Sequence, residues 1–398
     1  MDASTIGDKV RNIRKRRGMT QRELAARAGV SASLVKSVEQ GNYGDMRLST
    51  ARKLAVALGV ETAAIVPGAE EPADMQPDVA ETWEPVRRAL NGDHDGAGSD
   101  DEPTILSVRQ AFDEAVTDVL DSRYAGVRVL LPPILRDADD IVTASSDGAE
   151  ADARNLRSQV RQLGAYMLGQ TRQFSAAGEA IDLAAGDAGD ALTAAAAADW
   201  KSWILIRQGR LDDALSLAER WADNAEPRVS RATPEEFAAW GRFQLRVTAA
   251  AIRDNRPGEA AEALRFARIA AAGTGHDIIP SFNRWQVFGP VTVAMFQAQN
   301  AVIEEHPEAA LSIGRRLQGQ RFPLAETWNR HRLDVAQAHV LVREYAEAVD
   351  VLEEIRQRAP EWLVQQRYAR DILGAIVGRR RTLTPQMREL ADSVGLPL

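Results

Sequence analysis

Cysteine is absent from all 398 residues. That absence excludes disulfides, thiolate nucleophiles, iron–sulfur clusters and every cysteine-based zinc site. Histidine is nearly as scarce, and His94, His276, His306, His331 and His339 lie too far apart to suggest a metal or acid–base cluster. No stretch approaches the roughly 18 uninterrupted apolar residues of a membrane span. The opening residues, MDASTIGDKVRNIRKRRG, lack the apolar core of a signal peptide. A cytoplasmic location is the expectation. Catalytic signatures are missing too: there is no GxGxxG after a strand, no phosphate-binding GxxxxGK, no HExxH and no GxSxG. Asp137, Asp139 and Asp140 imitate a metal-binding run but read as a helix end or exposed turn. The chain is therefore not expected to be an enzyme, nor to carry a cofactor or metal.

Lysine is the other rarity, five against 44 arginines, and four of the five fall before residue 54. The net charge of −8 conceals this asymmetry. Residues 1–66 sum to +6, residues 67–104 to −9 and residues 105–398 to −5. Segregation on this scale suits one small domain that meets a polyanion and a larger part that does something else.

Punctuation divides the chain at the same places. Residues 67–104, with Pro67, Pro72, Pro77, Pro85, Pro103 and the stretch NGDHDGAGSDDEP, read as an acidic linker holding one short helix at 79–90. Its Asp93, Asp95, Asp100 and Asp101 miss the EF-hand spacing, because Ala97 stands where a ligand is needed and no Glu closes the loop. From 105 onward the sequence is rich in Ala, Leu and Arg, with a 3.6-residue period and almost no β-branched alternation. Turn-then-helix phrases recur there: RQFSAAGEAIDLA, QGRLDDALSLAERW, DNRPGEAAEALRFA, EEHPEAALSIGRRL and REYAEAVDVLEEIR. Each carries a small residue at one position, namely Ala177, Ala214, Ala260, Ala310 and Ala348. Paired antiparallel helices approach closely only where side chains are short, so the expected architecture is all-α, with a body of stacked helix pairs. Thr233-Pro234-Glu235-Glu236 announces one preceding helix with a capping box, and Pro360 is taken to end the last unit.

The most specific local pattern is MTQRELAARAGVSASLVKSVEQG, residues 19–41. Thr20 and Glu23 form a capping box, Leu24, Ala25 and Ala28 an apolar face, and Gly29 a left-handed stop. Ser31 caps a second helix whose inner face is Val35 and Val38. Two short helices joined by a tight glycine turn make a helix-turn-helix. The second helix presents Ala32, Ser33, Lys36, Ser37 and Gln40 outward, a small polar face able to enter a major groove.

Residues 5–66 resemble the lambda-repressor type of helix-turn-helix, the XRE family. The likeness rests on Thr20-Gln21-x-Glu23-Leu24-Ala25, Gly29-Val30-Ser31, Glu39-x-Gly41 and the run from Ala51 to Val60. It implies five helices, with Gln21 contacting a phosphate and bracing the reading helix. It further implies Ala32, Ser33 and Ser37 at base edges, Lys36 and Gln40 near the DNA backbone, and an internal Arg14–Glu39 ion pair. The loop after Gly41 is longer than the family's, and Arg47 is assigned to phosphate there. Ala and Ser at base-facing positions lack bidentate readout of adenine, so thymine methyls and DNA shape should contribute more.

A reading head on a tetratricopeptide-like body also resembles the peptide-responsive regulators of Gram-positive bacteria. Leu131-Pro132-Pro133-Ile134-Leu135 and Phe288-Gly289-Pro290 resemble a group of actinobacterial helix-turn-helix regulators with helical-repeat bodies. The resemblance implies double-stranded DNA bound at a palindromic operator, a homodimer, and a peptide or small-molecule effector in a concave groove. Counting back from the alanine anchors puts Trp203, Arg242, Gln299, Arg330 and Gln337 on that groove, with Asn283 and Arg284 in the insert before the fourth pair. Arginine and amide side chains at helical spacing suit a carboxylate or a peptide backbone. The alternative is an interaction scaffold whose body binds another protein, with DNA binding secondary.

Overall fold

The computed structural model describes residues 5–42, 46–66, 81–94, 102–146, 148–320, 322, 324–380 and 382–398. Every regular element among them is a helix. The head contains α1 (Ile6–Arg16), α2 (Gln21–Ala28), α3 (Ala32–Glu39) and α4 (Leu48–Leu58). Thr20 and Glu23 form the expected capping box, Gly29 closes α2 at φ 64°, and the Ser31 side chain caps α3. Val10, Leu24, Val35, Leu54 and Ile65 fill a small core of their own. Where a fifth helix was expected, the chain makes a single hydrogen-bonded turn at 62–65. Gly7 lets α1 sit on the end of α3, because a Cβ there would lie 2.3 Å from the Val38 carbonyl.

The expected linker at 67–104 is corrected in part. A short helix, α5 (Glu84–Leu90), belongs to the body: Trp83, Val86, Ala89 and Leu90 are buried in its largest core. Leu90 nests on the bare face of Gly164, 3.1 Å from where a Cβ would stand. The acidic composition of the flanks masked an apolar stripe at i, i+3 and i+7. Residues 67–80 and 95–101, including Asp95, Asp100 and Asp101, lie outside the described residues.

The body is a succession of helix pairs: α6 (Ile105–Leu120) with α7 (Tyr124–Ala144), α8 (Glu150–Gln170) with α9 (Phe174–Asp187), and α10 (Ala191–Arg207) with α11 (Leu211–Asn224). Next come α12 (Pro234–Arg253) with α13 (Pro257–Thr274), α14 (Pro290–Ile303) with α15 (Pro307–Leu317), and α16 (Ala325–Leu341) with α17 (Tyr345–Arg358). Three further helices follow, α18 (Pro360–Val364), α19 (Arg367–Val377) and α20 (Pro385–Val394). Pro360 thus opens a helix rather than ending the repeats, which suits a residue without an N–H. All five alanine anchors are buried, at most 1% exposed.

One turn chemistry joins the partners of every pair. A residue in the left-handed region stands five places before each anchor: Arg172, Gly209, Asn255, Glu305 and Arg343, with φ between 62° and 75°. The next residue's N–H reaches back to a carbonyl five residues earlier, as in Gln173 to Leu168 at 2.8 Å and Arg256 to Ala251 at 2.9 Å. Ser122 (φ 57°) and the Arg123-to-Asp118 bond at 2.8 Å repeat the pattern in the α6–α7 pair, where Val127 stands in for the alanine. That first unit carries no alanine signature and is invisible to it.

The head is seated on these turns. Arg52, from α4, donates to the Ile252 carbonyl at 3.1 Å and to the Ile303 carbonyl at 2.7 Å, the ends of α12 and α14. The Thr62 hydroxyl donates to the Arg253 carbonyl at 2.9 Å, and the Ala63 N–H to Asp254 Oδ1 at 2.8 Å. Asn255 Nδ2 returns a bond to the Val60 carbonyl at 3.2 Å, and Lys53 pairs with Glu305 at 3.1 Å. Burial depresses the Arg52 guanidinium, opposed by Glu304 and Glu305.

Ser122 tests the turn. Its side chain is strained by a positive φ, and its hydroxyl is buried without a partner among the described residues. Ser122→Gly is expected to stabilise the chain by about 1 kcal/mol, seen as a higher urea midpoint. A lower midpoint would show that the turn is not under strain.

Candidate nucleic-acid interface and cavity

The reading surface is built from a buried polar clamp. Arg14 donates from Nε and Nη2 to the two Glu39 oxygens at 2.6 and 2.8 Å, and from Nη1 to the Met19 carbonyl at 2.6 Å. Gln21 Nε2 adds a bond to Glu39 at 2.8 Å, and Arg11 binds the Glu39 carbonyl. Burial alone would raise the Glu39 carboxyl; hydrogen bonds from Arg14 and Gln21 outweigh it and hold the group ionised. The internal ion pair that the resemblance implied is therefore present, and it fixes the last turn of α3 to α1 and α2.

With Val35, Val38 and Glu39 held inward, α3 turns Ala32, Ser33, Lys36 and Gln40 to solvent, with Ser37 half-buried at the edge. None of these side chains bonds to the body among the described residues. Docking thus occupies α4 and the turn after it while leaving the α3 face open. Arg47 is corrected: its guanidinium pairs with Asp371 of the body at 2.9 Å, so in this arrangement it is not free for a phosphate. Residues 43–45 of the preceding loop lie outside the described residues.

The second feature is a cavity of about 340 Å³ on the inner side of the body. As expected, the first helices of the pairs line it: Tyr166 and Gln170 from α8, Trp200, Trp203 and Arg207 from α10, Arg242, Arg246 and Arg253 from α12, Gln299 from α14, and Arg330 and Asp334 from α16. Trp203, Arg242, Gln299 and Arg330 are thus brought together, and Gln299 bonds to Asp334 at 3.4 Å. Gln337 is a correction, since it does not reach the cavity. So are Asn283 and Arg284: Asn283 is buried and donates to Gln286 at 2.9 Å, while Arg284 pairs with Asp113. The insert instead contributes Trp285, Gln286 and Val287. An isolated antiparallel β-bridge between Ile278 and Phe288 closes the base of this insert. Trp285 lies parallel to Trp200, with ring centres 6.2 Å apart, and Tyr166 packs 4.5 Å from Trp200.

Asp199 anchors the buried charge, and periodicity alone did not single it out. It accepts from Arg246 Nε and Nη2 at 2.7 and 2.8 Å, from Arg242 at 3.3 Å and from Gln286 at 2.8 Å. Burial pushes its carboxyl up, but Arg242 and Arg246 prevail and bring it down to about 2. Two other carboxyls near the cavity go the opposite way. Burial raises Glu326, which accepts from the Tyr124 hydroxyl, and raises Asp334 against Arg330 and Arg253. Burial also lowers His331 to about 4, helped by Arg332, leaving its ring neutral. No helix among the described residues is long and apolar enough to cross a membrane.

A tight glycine turn, an outward polar helix and a buried Arg–Glu clamp define a DNA-binding helix-turn-helix domain joined to an all-helical repeat body. The family model described as helix-turn-helix matches residues 10–65. An immunity repressor protein of Bacillus phage phi105 is 31% identical over 124 residues, spanning 29% of this chain and 85% of that protein. The chain belongs to this helix-turn-helix family, of the XRE type, whose members are DNA-binding transcriptional regulators. No solved structure matches the chain.

The Asp199 network sets an acid limit. Its folded pKa lies below the ordinary carboxylate value, so its contribution is complete above about pH 4 and is lost as pH falls toward about 2. Asp199→Ala leaves Arg242 and Arg246 buried without a counter-charge and is expected to cost about 3–5 kcal/mol at neutral pH. The same variant should lose this acid-dependent slope. An unchanged denaturation midpoint would contradict the assignment.

Proposed function

We propose that the chain is a one-component transcriptional regulator that binds a palindromic operator as a homodimer and responds to an effector held in a tetratricopeptide-like body. The observation that carries this reading is the orientation of the head. Arg52, Lys53 and Thr62 face the body, whereas Ala32, Ser33, Lys36 and Gln40 face away from it. A head seated on the body in this way reports the body's conformation to DNA. Two heads on a dimer would engage half-sites about one helical turn, roughly 34–36 Å, apart. One such domain makes few base contacts, so dimerisation supplies the rest of the specificity.

Gln21, Lys36 and Gln40 are proposed to meet the DNA backbone, with Ala32, Ser33 and Ser37 at base edges. An effector that favours one arrangement of the helix pairs shifts the separation of the heads, provided that it binds the two arrangements with different affinity.

Genome-wide mapping of bound sites supplies the operator. Ser33→Glu with Lys36→Glu should then abolish operator binding while leaving the helical circular dichroism and thermal midpoint unchanged, since both residues are exposed. Binding by the unaltered chain should weaken steeply with salt as counterions are released. Undiminished operator binding by the folded double variant would refute the interface.

A further inference from the structure

The arginines of the cavity do not all have partners. Arg242 and Arg246 share Asp199, but Arg207 and Arg330 form no ion pair with any described carboxylate. Both lie over rings: the Arg207 guanidinium is 5.1 Å from the Trp203 ring centre and 5.7 Å from that of Phe174, and Arg330, which also acts on the Asp334 carboxyl, is 4.6 Å from that of Tyr368. Burial depresses Arg207 to about 9, with repulsion from Arg330 and Arg172 adding to it. Four buried N–H donors in the cavity wall find no acceptor among the described residues: Trp200 Nε1, Trp285 Nε1, Arg242 Nε and Gln366 Nε2, and His331 Nδ1 is buried there without a partner as well. Trp200 and Trp285 are 4% and 3% exposed, and Arg242 is 8% exposed, so bulk water does not serve them freely. The wall therefore offers hydrogen-bond donors and positive charge beside flat apolar surface. Asp334 faces Arg330 and Arg253, but no carboxylate acts on Arg207, so the free donors and this arginine suit an acceptor-rich anion.

We propose that this cavity binds a small organic anion, with a carboxylate or phosphate held by Arg207 and Arg330 and a flat apolar body against Trp200 and Trp203. The volume, about 340 Å³, falls in the range of small-molecule sites. The anion end of the cavity is also the end nearest the head. A second space of about 260 Å³ shares Leu48, Arg207, Arg330 and Gln366 with the first and is also lined by Met46 and Val66 of the head. A bound anion would neutralise the arginines that line the seam, so its occupancy and the seating of α4 are linked. This site names the effector class of the regulator described above and rests on that reading only for its consequence at DNA.

The test uses the full chain and 1-naphthoate, 1-naphthyl phosphate and the uncharged 1-naphthamide, followed by titration calorimetry and tryptophan fluorescence. At least one anion is expected to bind ten-fold or more tightly than the amide, and the preferred head group separates carboxylate from phosphate. Arg207→Met with Arg330→Met should cut that affinity at least ten-fold. Without ligand, Arg207→Met alone should raise the thermal midpoint, because it removes a partly buried charge that has no carboxylate partner. Equal binding of amide and anions, binding of no probe, or affinity unchanged in the variants overturns the proposal. So does a lowered midpoint for Arg207→Met, which would make the arginine a structural support. Operator binding measured on the same preparations is a separate readout: its absence, with anion binding intact, refutes the regulator and leaves the anion site standing.

Discussion

The arrangement of this protein depends on the carbonyl groups at the ends of two helices. The last turn of a helix leaves carbonyls that its own backbone cannot satisfy. Within each pair, the left-handed turn serves some of them. In the centre of the body the remainder go to the head: Arg52 takes the Ile252 and Ile303 carbonyls, and Thr62 takes those of Arg253 and Asp254. A cation at the C-terminal ends of two helices is favoured by their dipoles as well as by hydrogen bonding. Arg256 completes the seat by bonding Asp254, Asp212 and Glu61, gathering three carboxylates that would otherwise repel one another. Because Arg52 touches the ends of α12 and α14 together, the head is sensitive to the spacing of adjacent pairs.

That sensitivity gives the polar interior a purpose. Repeat bodies made only of alanine and leucine pack well but have nothing to recognise. Here α10 and α12 bury Asp199, Arg242 and Arg246 at their mutual interface, and the insert before α14 adds Trp285 and Gln286 above them. Buried charge of this kind is weak evidence for stability and is held in place only by complete pairing. The Asp199 carboxylate is fully engaged by Arg242, Arg246 and Gln286, whereas Arg207, toward the head, has no carboxylate partner. Charge segregation along the chain therefore acts on two scales. Of the head's twelve cations, eight lie on or beside α1 and α2, one (Lys36) on α3, and Arg47, Arg52 and Lys53 bind the body.

Much of the head was legible in the sequence because its signals are local. Capping boxes, a glycine stop and apolar faces lie within a turn or two of the residues they govern, so α2, α3 and the Arg14–Glu39 clamp follow from spacing and resemblance. The repeats were legible through their alanines, which are small for a geometric reason. The α6–α7 pair was not, since Val127 replaces the alanine and Pro132 and Pro133 interrupt the helix pattern. Left-handed turns at Arg172, Glu305 and Arg343 leave no trace in residue type, because tertiary packing forces side chains into a conformation that favours glycine. Lining residues on regular helices were found by counting, as Trp203, Arg242, Gln299 and Arg330 show. The insert defeated counting: an irregular segment has no period, and Trp285, Gln286 and Val287 lie just beyond Asn283 and Arg284. Docking of the head was illegible for a different reason, since Arg52 and Lys53 look the same whether they await phosphate or helix ends.

The head is held on the body in one orientation, and the absence of cysteine makes that orientation directly measurable. Spin labels at Arg22→Cys on α2 and Glu262→Cys on α13, both exposed, report the distance between the two parts by pulsed electron resonance. A single narrow distance distribution is expected, and it should broaden when Arg52→Ala and Thr62→Ala are introduced together. A broad distribution in the unaltered chain, indifferent to those substitutions, would contradict it.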